Sequence, residues 1–131
     1  AKNTDLKIQR KIEDLWTSLG AKLLRVCAKT HDEALSYVSH LPHLAAFCLI
    51  NVIPDGFLKF SSSGLKDTTR IAASEAGLWA DIFLSNRKNM LKAISLFRKD
   101  LSWMSSLIDK NNKGILVKVL TKAKAKREGL D

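Results

Sequence analysis

Residues that cross-link or interrupt a chain are scarce in this sequence, which has two cysteines, two prolines and six glycines among 131 residues. Two cysteines do not make a disulfide framework. Because Cys27 and Cys48 both have apolar neighbours, we predict that they are buried thiols of a cytoplasmic protein. No run of 18 apolar residues occurs, so we expect no membrane-spanning helix and no membrane partner.

The length and the apolar content of the chain indicate how many domains it can form. With 131 residues, 46% of them hydrophobic, the chain has the composition of an ordinary globular domain with a core of its own. It is too short to contain two complete domains.

The net charge of +9 raises the question of nucleic-acid binding, and its distribution argues against it. Residues 1–29 contain seven basic and three acidic side chains, and residues 110–131 contain seven basic and two acidic ones. The stretch between them is neutral. Since the excess lies at the two ends and not along one recognition surface, we expect no nucleic acid among the partners.

All three histidines lie between residues 31 and 43, in an otherwise apolar segment. Thr30 and Glu33 form a Thr-x-x-Glu capping box, which predicts that a helix begins there and runs to about residue 53. Pro42 removes a backbone hydrogen bond, so this helix should kink beside it. Its apolar face is predicted to comprise Leu35, Val38, Leu41, Leu44 and Ala45.

His40 and His43 flank the proline, and with Ser39 they bring polar side chains to the kink. One interpretation is that they line a binding site, because a kink exposes backbone and lets side chains converge. Another is that they are hydrogen-bonded structural residues of a half-apolar helix. No metal site is expected, because no carboxylate or cysteine stands beside them at zinc-ligand spacing.

The N-terminal residues 4–19 are predicted to form an amphipathic helix, which Thr4 caps and Gly20 ends. The seven residues that follow, 21–27, have the composition of a short strand. A single strand cannot pair its own backbone groups. We therefore expect its partners to lie in another part of the protein or in a second chain.

Turn residues and serines in the stretch 54–67 predict an irregular, mobile loop beside a site. A short helix should follow at 67–73, with Asp67 as its cap. Arg70 would then lie in the first turn, where the helix dipole opposes a cation. This placement indicates either a partner carboxylate or phosphate for Arg70, or a surface arginine without such a role.

An a/d heptad repeat dominates the C-terminal half of the sequence. It predicts a helix of about 25 residues, roughly 38 Å long, that Asn86 caps. Such a helix usually packs along its whole length, either in a bundle or across a two-fold axis. A turn at 111–114 should lead to a last amphipathic helix, 115–127. We call the repeat the heptad seam; its residues are Met90, Ile94, Phe97, Leu101, Met104 and Ile108.

Four ordered motifs resemble those of the prephenate and arogenate dehydrogenases of tyrosine biosynthesis. The likeness covers nearly the whole chain but only the C-terminal part of those enzymes, since the Gly-x-Gly-x-x-Gly loop of their NAD-binding domain does not occur here. The motifs are His31-Asp32, Ser39-His40-Leu41-Pro42-His43, Thr69-Arg70-Ile71-Ala72 and Trp79-x-Asp81-Ile82-Phe83-x-x-Asn86-Arg87.

The resemblance implies an all-α fold with a kinked helix and a long heptad helix. Residues 30–131 would be a helical substrate-binding and dimerisation domain, and residues 1–29 would be the helix and last strand of a Rossmann-type NAD-binding domain. The implied partners are a second copy of the chain, forming a homodimer through the helical domain, and a small-molecule dicarboxylate substrate.

The activity implied by the resemblance is the oxidative decarboxylation of prephenate to 4-hydroxyphenylpyruvate with NAD or NADP. The catalytic histidine and the dinucleotide site would belong to the NAD-binding domain. We therefore expect residues 1–131 alone to contain no catalytic residue, to bind no cofactor and to be inactive. The motifs do not distinguish prephenate from arogenate.

Substrate-binding residues are implied by the same motifs. Arg70 matches an arginine that grips a substrate carboxylate, and His40 and His43 match two histidines that line the site. Trp79 matches a tryptophan that reaches the neighbouring subunit's site, and Lys66 resembles a basic residue found near the substrate. The alternative is a non-catalytic helical module, which either holds a dimer or binds a regulatory aromatic effector.

Overall fold

The computed structural model describes residues 4–130, and no strand occurs among them. Its α-helices are joined by turns and by short 3-10 or π-helical segments, so the prediction of an all-α fold is confirmed. The chain divides into two compact units, an N-terminal unit that ends at His31 and a C-terminal unit that begins at Asp32. The helices are α1 (Leu6–Ser18), α2 (Ala28–Leu35), α3 (Leu41–Asn51), α4 (Ser63–Thr69), α5 (Ala76–Ser85), α6 (Arg87–Asp109) and α7 (Lys113–Glu128).

The N-terminal unit contains α1, whose ends follow from local hydrogen bonds. The Asp5 carboxylate accepts a hydrogen bond from the Lys7 backbone N–H at 2.7 Å, so Asp5 occupies the cap position that was predicted for Thr4. Gly20 follows the helix with a φ of 83°, a left-handed conformation that glycine adopts without strain. Although its sequence is amphipathic, α1 buries none of its residues.

Residues 21–27 form neither a helix nor a strand, so the predicted strand is not formed within the described chain. A strand is held by backbone hydrogen bonds to a neighbouring strand, and no residue from 4 to 130 supplies one. Arg25 and Glu13 form an ion pair, with 2.5 Å between Nη2 and Oε2, that ties this segment to α1. The hydrogen bond from Arg25 lowers the pKa of the Glu13 carboxyl group.

Both cysteines are exposed, so the prediction of buried thiols is wrong. Apolar neighbours in sequence did not imply burial, because neighbours such as Val26 and Leu49 are themselves exposed. The Cys27 Sγ lies 3.2 Å from the Thr30 hydroxyl at the start of α2. This hydrogen bond lowers the pKa of the Cys27 thiol.

The predicted Thr30–Glu33 capping box does not form. Because α2 begins at Ala28, Thr30 already lies within the first turn of the helix and does not occupy its cap position. The Glu33 carboxylate instead pairs with Lys92 of α6, at 2.6 Å between Oε1 and Nζ. The pair ties α2 to the long helix.

The predicted kinked helix is interrupted just before its proline. A π-helical segment, Ser36–His40, separates α2 from α3, and Pro42 lies in the first turn of α3. The Leu41 N–H donates to the Ser36 carbonyl, five residues back, so the turn holds one extra residue. The extra residue rotates the apolar face, and Val38, which was predicted to point inward, is 73% exposed.

The segment predicted as a loop contains helical turns. A 3-10 helix spans Asp55–Phe60, and α4 then begins at Ser63. Arg70 therefore lies at the end of α4, in a 3-10 turn that runs to Ala73. The prediction of a helix beginning at Asp67 is wrong because α4 starts four residues earlier, so the dipole argument for Arg70 does not apply.

The two predicted C-terminal helices are confirmed to within a few residues. α6 has 23 residues and packs against the π segment, α3, α5 and α7. The turn before α7 includes Asn111 with a φ of 49°. Asn112 then accepts a hydrogen bond from the Ile115 N–H at 3.1 Å and caps α7. Within the described chain, no helix has both the length and the apolar character needed to cross a membrane.

The core of the C-terminal unit is small. Among residues 4–130, the buried apolar side chains are Ala46, Met90, Ala93 and Leu107. Much of the heptad seam is uncovered, since Phe97 is 43% exposed, Leu101 60% and Ile108 65%. The seam therefore packs inside the unit at Met90 and leaves a long apolar surface towards its C-terminal end.

We expect Ala93→Leu to destabilise the fold, because Ala93 is completely buried in α6 and added methyl groups would overpack the site. Overpacking of this kind typically costs about 1–3 kcal/mol. Urea denaturation monitored by circular dichroism would measure the loss. Ala123→Leu on the exposed surface of α7 is the matched control, and equal stability of the two variants would contradict the prediction.

Candidate functional site

Three aromatic rings from separate elements meet in the C-terminal unit. The His43 imidazole, in the first turn of α3, stacks on the Trp79 indole of α5 with ring centroids 3.5 Å apart and planes at 19°. The His40 imidazole ends the π segment and meets the same indole edge-on, at 6.4 Å and 77°. We call His40, His43 and Trp79 the ring cluster. Because π-helical turns are rare and often occur at functional sites, the ring cluster is a candidate binding site.

The start of α5 holds Trp79 in place. The Glu75 carboxylate caps this helix, since it accepts hydrogen bonds from the Gly77 N–H, at 2.9 Å, and from the Leu78 N–H. These two donors lower the pKa of the Glu75 carboxyl group. Phe83, one turn beyond Trp79, lies 5.6 Å from the indole in a tilted arrangement. The indole thus contacts both the His43 imidazole and the Phe83 phenyl ring.

His43 has a defined tautomer. Its Nδ1 lies 2.9 Å from the Ser39 carbonyl oxygen, and a carbonyl can only accept a hydrogen bond. Nδ1 therefore carries the proton, and in the neutral ring Nε2 carries the lone pair. This bond and the stacking on Trp79 together fix the plane of the imidazole.

His40 is almost fully buried and contacts Asn86, the residue between α5 and α6. The Asn86 Nδ2 lies 3.3 Å from the His40 Nδ1 and 2.7 Å from the Asp32 carbonyl oxygen. The Asn86 Oδ1 accepts a hydrogen bond from the Asn89 Nδ2 at 2.8 Å. One amide thus links α2, the π segment and α6.

Arg70 and Lys66 are exposed and lie outside the ring cluster. The elements that carry them, α4 and the following 3-10 turn, pack against α3, the helix that carries His43. Among residues 4–130, neither side chain has a hydrogen-bonding or ion-pair partner. Lys66 and Arg70 are cations four residues apart, and neither has an acidic partner in the described chain. Their positive charges can therefore attract an anion to this surface.

The structure therefore brings together three of the five predicted site residues. Trp79 contacts the histidines of its own chain, whereas the resemblance implied that it reaches the neighbouring subunit's site. Asn86 was predicted only as a helix cap, and its side chain accepts no capping bond. The signal for its role was its place at the end of the Trp79 motif.

No three histidine, cysteine, aspartate or glutamate side chains within the described residues are arranged to hold a metal ion.

The fold defines an all-α domain with a small core and a large uncovered apolar surface. Residues 27–122 match the family model described as the prephenate dehydrogenase dimerization domain. Because this match covers most of the chain, the protein belongs to that family.

Two curated relatives match this chain over only part of their own length. It is 34% identical over 105 residues to cyclohexadienyl dehydrogenase of Zymomonas mobilis, covering 74% of this chain and 36% of that protein. It is 26% identical over 134 residues to prephenate dehydrogenase of Bacillus subtilis, covering 97% of this chain and 36% of that protein. The chain thus spans about a third of the length of the curated relatives it matches.

Solved structures have the same fold over the whole chain. Prephenate dehydrogenase of Aquifex aeolicus, crystallised with hydroxyphenyl propionate and NAD+, is 36% identical with a TM-score of 0.87, covering 100% of this chain and 48% of that one. Arogenate dehydrogenase of Synechocystis is 24% identical with a TM-score of 0.86, covering 100% of this chain and 50% of that one. At that identity the second likeness concerns the fold alone.

Proposed function

We propose that this chain is the C-terminal part of a cytoplasmic, NAD-dependent prephenate dehydrogenase. In this reaction a hydride leaves C4 of the substrate for NAD, carbon dioxide is lost from C1, and the ring becomes aromatic as 4-hydroxyphenylpyruvate. The observation that carries the proposal is the family match over residues 27–122. NAD is preferred to NADP because the Aquifex aeolicus relative was crystallised with NAD+.

We infer that residues 1–29 complete an NAD-binding domain and that residues 30–131 form the substrate-binding and dimerisation domain. The uncovered apolar face of α1 supports this division, because a helix that buries none of its residues needs other polypeptide to pack against. Residues 21–27, which have no neighbouring strand among residues 4–130, would pair with a strand of the NAD-binding domain. The dinucleotide and the catalytic histidine would also belong to that domain.

The substrate site that we propose combines the ring cluster with Arg70 and Lys66, whose elements pack against the helix that carries His43. Arg70 would bind a substrate carboxylate with its planar guanidinium, which matches two carboxylate oxygens, and Lys66 would add charge beside it. His40 and His43 would form hydrogen bonds to the substrate, and Trp79 would hold the His43 ring. The support is the absence of any acidic partner for Arg70 and Lys66 within residues 4–130.

A homodimer formed through α6 is the second part of the proposal. Its support is the exposed half of the heptad seam, together with an apolar groove of about 540 Å³. Phe97 and Leu101 line this groove with residues of α3. The same surface also favours the alternative of a non-catalytic helical module that only holds a dimer or binds a regulatory aromatic effector.

An assay of the longer protein that carries this chain would separate the two functions. We expect that protein to reduce NAD when prephenate is added and to release carbon dioxide in equal amount, measured by absorbance of NADH and by product analysis. The 131-residue chain alone should be inactive. Parallel reactions with arogenate and with NADP would define specificity, and no turnover with any of the four pairs would favour the non-catalytic module.

A further inference from the structure

We propose that Asn86 is a positioning residue that fixes the proton of the His40 imidazole on Nε2. His43 is held as the opposite tautomer by the Ser39 carbonyl. The two imidazoles against the Trp79 indole would then have opposite hydrogen-bonding polarity at Nε2: a donor on His40 and an acceptor on neutral His43.

The orientation of the Asn86 amide follows from one partner of fixed polarity, the Asp32 backbone carbonyl. Its nitrogen faces the Asp32 carbonyl oxygen at 2.7 Å, which can only accept. Its oxygen faces the Asn89 Nδ2 at 2.8 Å. If the amide were rotated by 180°, its oxygen would face the Asp32 carbonyl oxygen, and two acceptors would meet. Polar groups that are buried or half-buried without a partner are costly. The nitrogen must therefore face both the carbonyl and His40.

The His40 tautomer follows from that orientation. A primary amide nitrogen has two hydrogens and no lone pair, so its second hydrogen points to the His40 Nδ1, 3.3 Å away. That nitrogen must supply the lone pair, which leaves the proton of the neutral ring on Nε2. Asn86 thus acts on ligands only through His40.

This inference gives the two histidines different tasks, and it rests on the proposed function for their ligand. A donor at the His40 Nε2 suits a substrate carboxylate or hydroxyl oxygen. The lone pair at the His43 Nε2 suits a hydroxyl hydrogen. A ligand that offers both an anion and a hydroxyl group, as a cyclohexadienol carboxylate does, matches this pair better than a dicarboxylate without a hydroxyl.

Histidine tautomers can be measured directly by long-range proton–nitrogen NMR on the 15N-labelled 131-residue chain, at about pH 8, where ordinary histidines are neutral. We expect His40 to show an unprotonated Nδ1 and a protonated Nε2, and His43 to show the reverse. The variants His40→Gln and His43→Gln would each remove one pattern and so assign them. A protonated Nδ1 on His40 in the wild-type chain would overturn the proposal.

Asn86→Asp tests the cause of the tautomer. The carboxylate has nearly the same shape but no donor, so the proton of His40 should move to Nδ1 while the His43 pattern is retained. Asn51→Asp makes the same chemical change at the exposed end of α3 and should leave His40 unchanged. Retention of the wild-type His40 pattern in a folded Asn86→Asp chain would contradict the proposal.

These spectra do not depend on catalysis. If the tautomers are as proposed but prephenate is not turned over, the proposed function fails and the role of Asn86 in fixing His40 stands. If the tautomers differ while the enzyme is active, only the inference about Asn86 fails.

Discussion

Arg70→Ala is expected to raise the KM for prephenate by roughly 10- to 150-fold in the longer protein, while the KM for NAD stays nearly constant. A charge-assisted hydrogen bond contributes about 1.5–3 kcal/mol, and each 1.4 kcal/mol corresponds to a factor of about ten. Arg70 is exposed and has no partner in the described chain that its loss would leave unpaired. The variant should therefore fold normally, and steady-state kinetics with each substrate varied in turn would measure the effect.

Two further variants sharpen the Arg70 experiment. Arg70→Lys keeps the charge but loses the planar pair of donors, so it should fall between the wild type and Arg70→Ala. Arg98→Ala removes an exposed arginine from α6 and controls for the loss of one positive charge. An unchanged KM for prephenate in Arg70→Ala would remove this residue from the substrate site.

Phe97→Asp and Leu101→Asp are each expected to convert the proposed dimer into monomers or unfolded chains, with an apparent dissociation constant at least 100-fold higher. In the proposed homodimer an apolar interface would bury these side chains from both copies, so each substitution would place two carboxylates in a poorly solvated contact, at a cost of several kcal/mol. Sedimentation velocity over a dilution series would measure the change. A second measurement by circular dichroism would show whether the helices persist.

The control for the seam is Ser95→Asp, which adds the same charge to α6 at an exposed position outside the repeat. It should leave the dimer intact. A wild-type chain that sediments as a monomer at all concentrations, or seam variants that associate as the wild type does, would show that the apolar surface of α6 has another occupant.

Elements stabilised by local sequence were the easiest to predict. α1 and α6 have strong helical periodicity, and Gly20 and the turn before α7 mark ends that need unusual backbone angles. The strand predicted at 21–27 is not formed in the described chain, because a strand needs a neighbouring strand that these residues do not supply. The Asp67 cap failed for a related reason, since any of several polar residues before Arg70 could begin the helix.

The site was only partly predictable from the sequence. The motifs pointed to the ring cluster, and Pro42 indicated the break beside it. The π turn was not foreseen, because proline requires a lost hydrogen bond but does not determine which register replaces it. The contact between Asn86 and His40 joins residues 46 positions apart, and periodicity describes only near neighbours.

The small number of enclosed side chains in the C-terminal unit has a thermodynamic consequence. A domain that buries so little by itself has a narrow margin of stability, and the remainder of its hydrophobic core would be completed by a second copy. Folding and association would then be one equilibrium, so the midpoint of thermal unfolding should rise with protein concentration. For this domain, dilution would act as a mild denaturant.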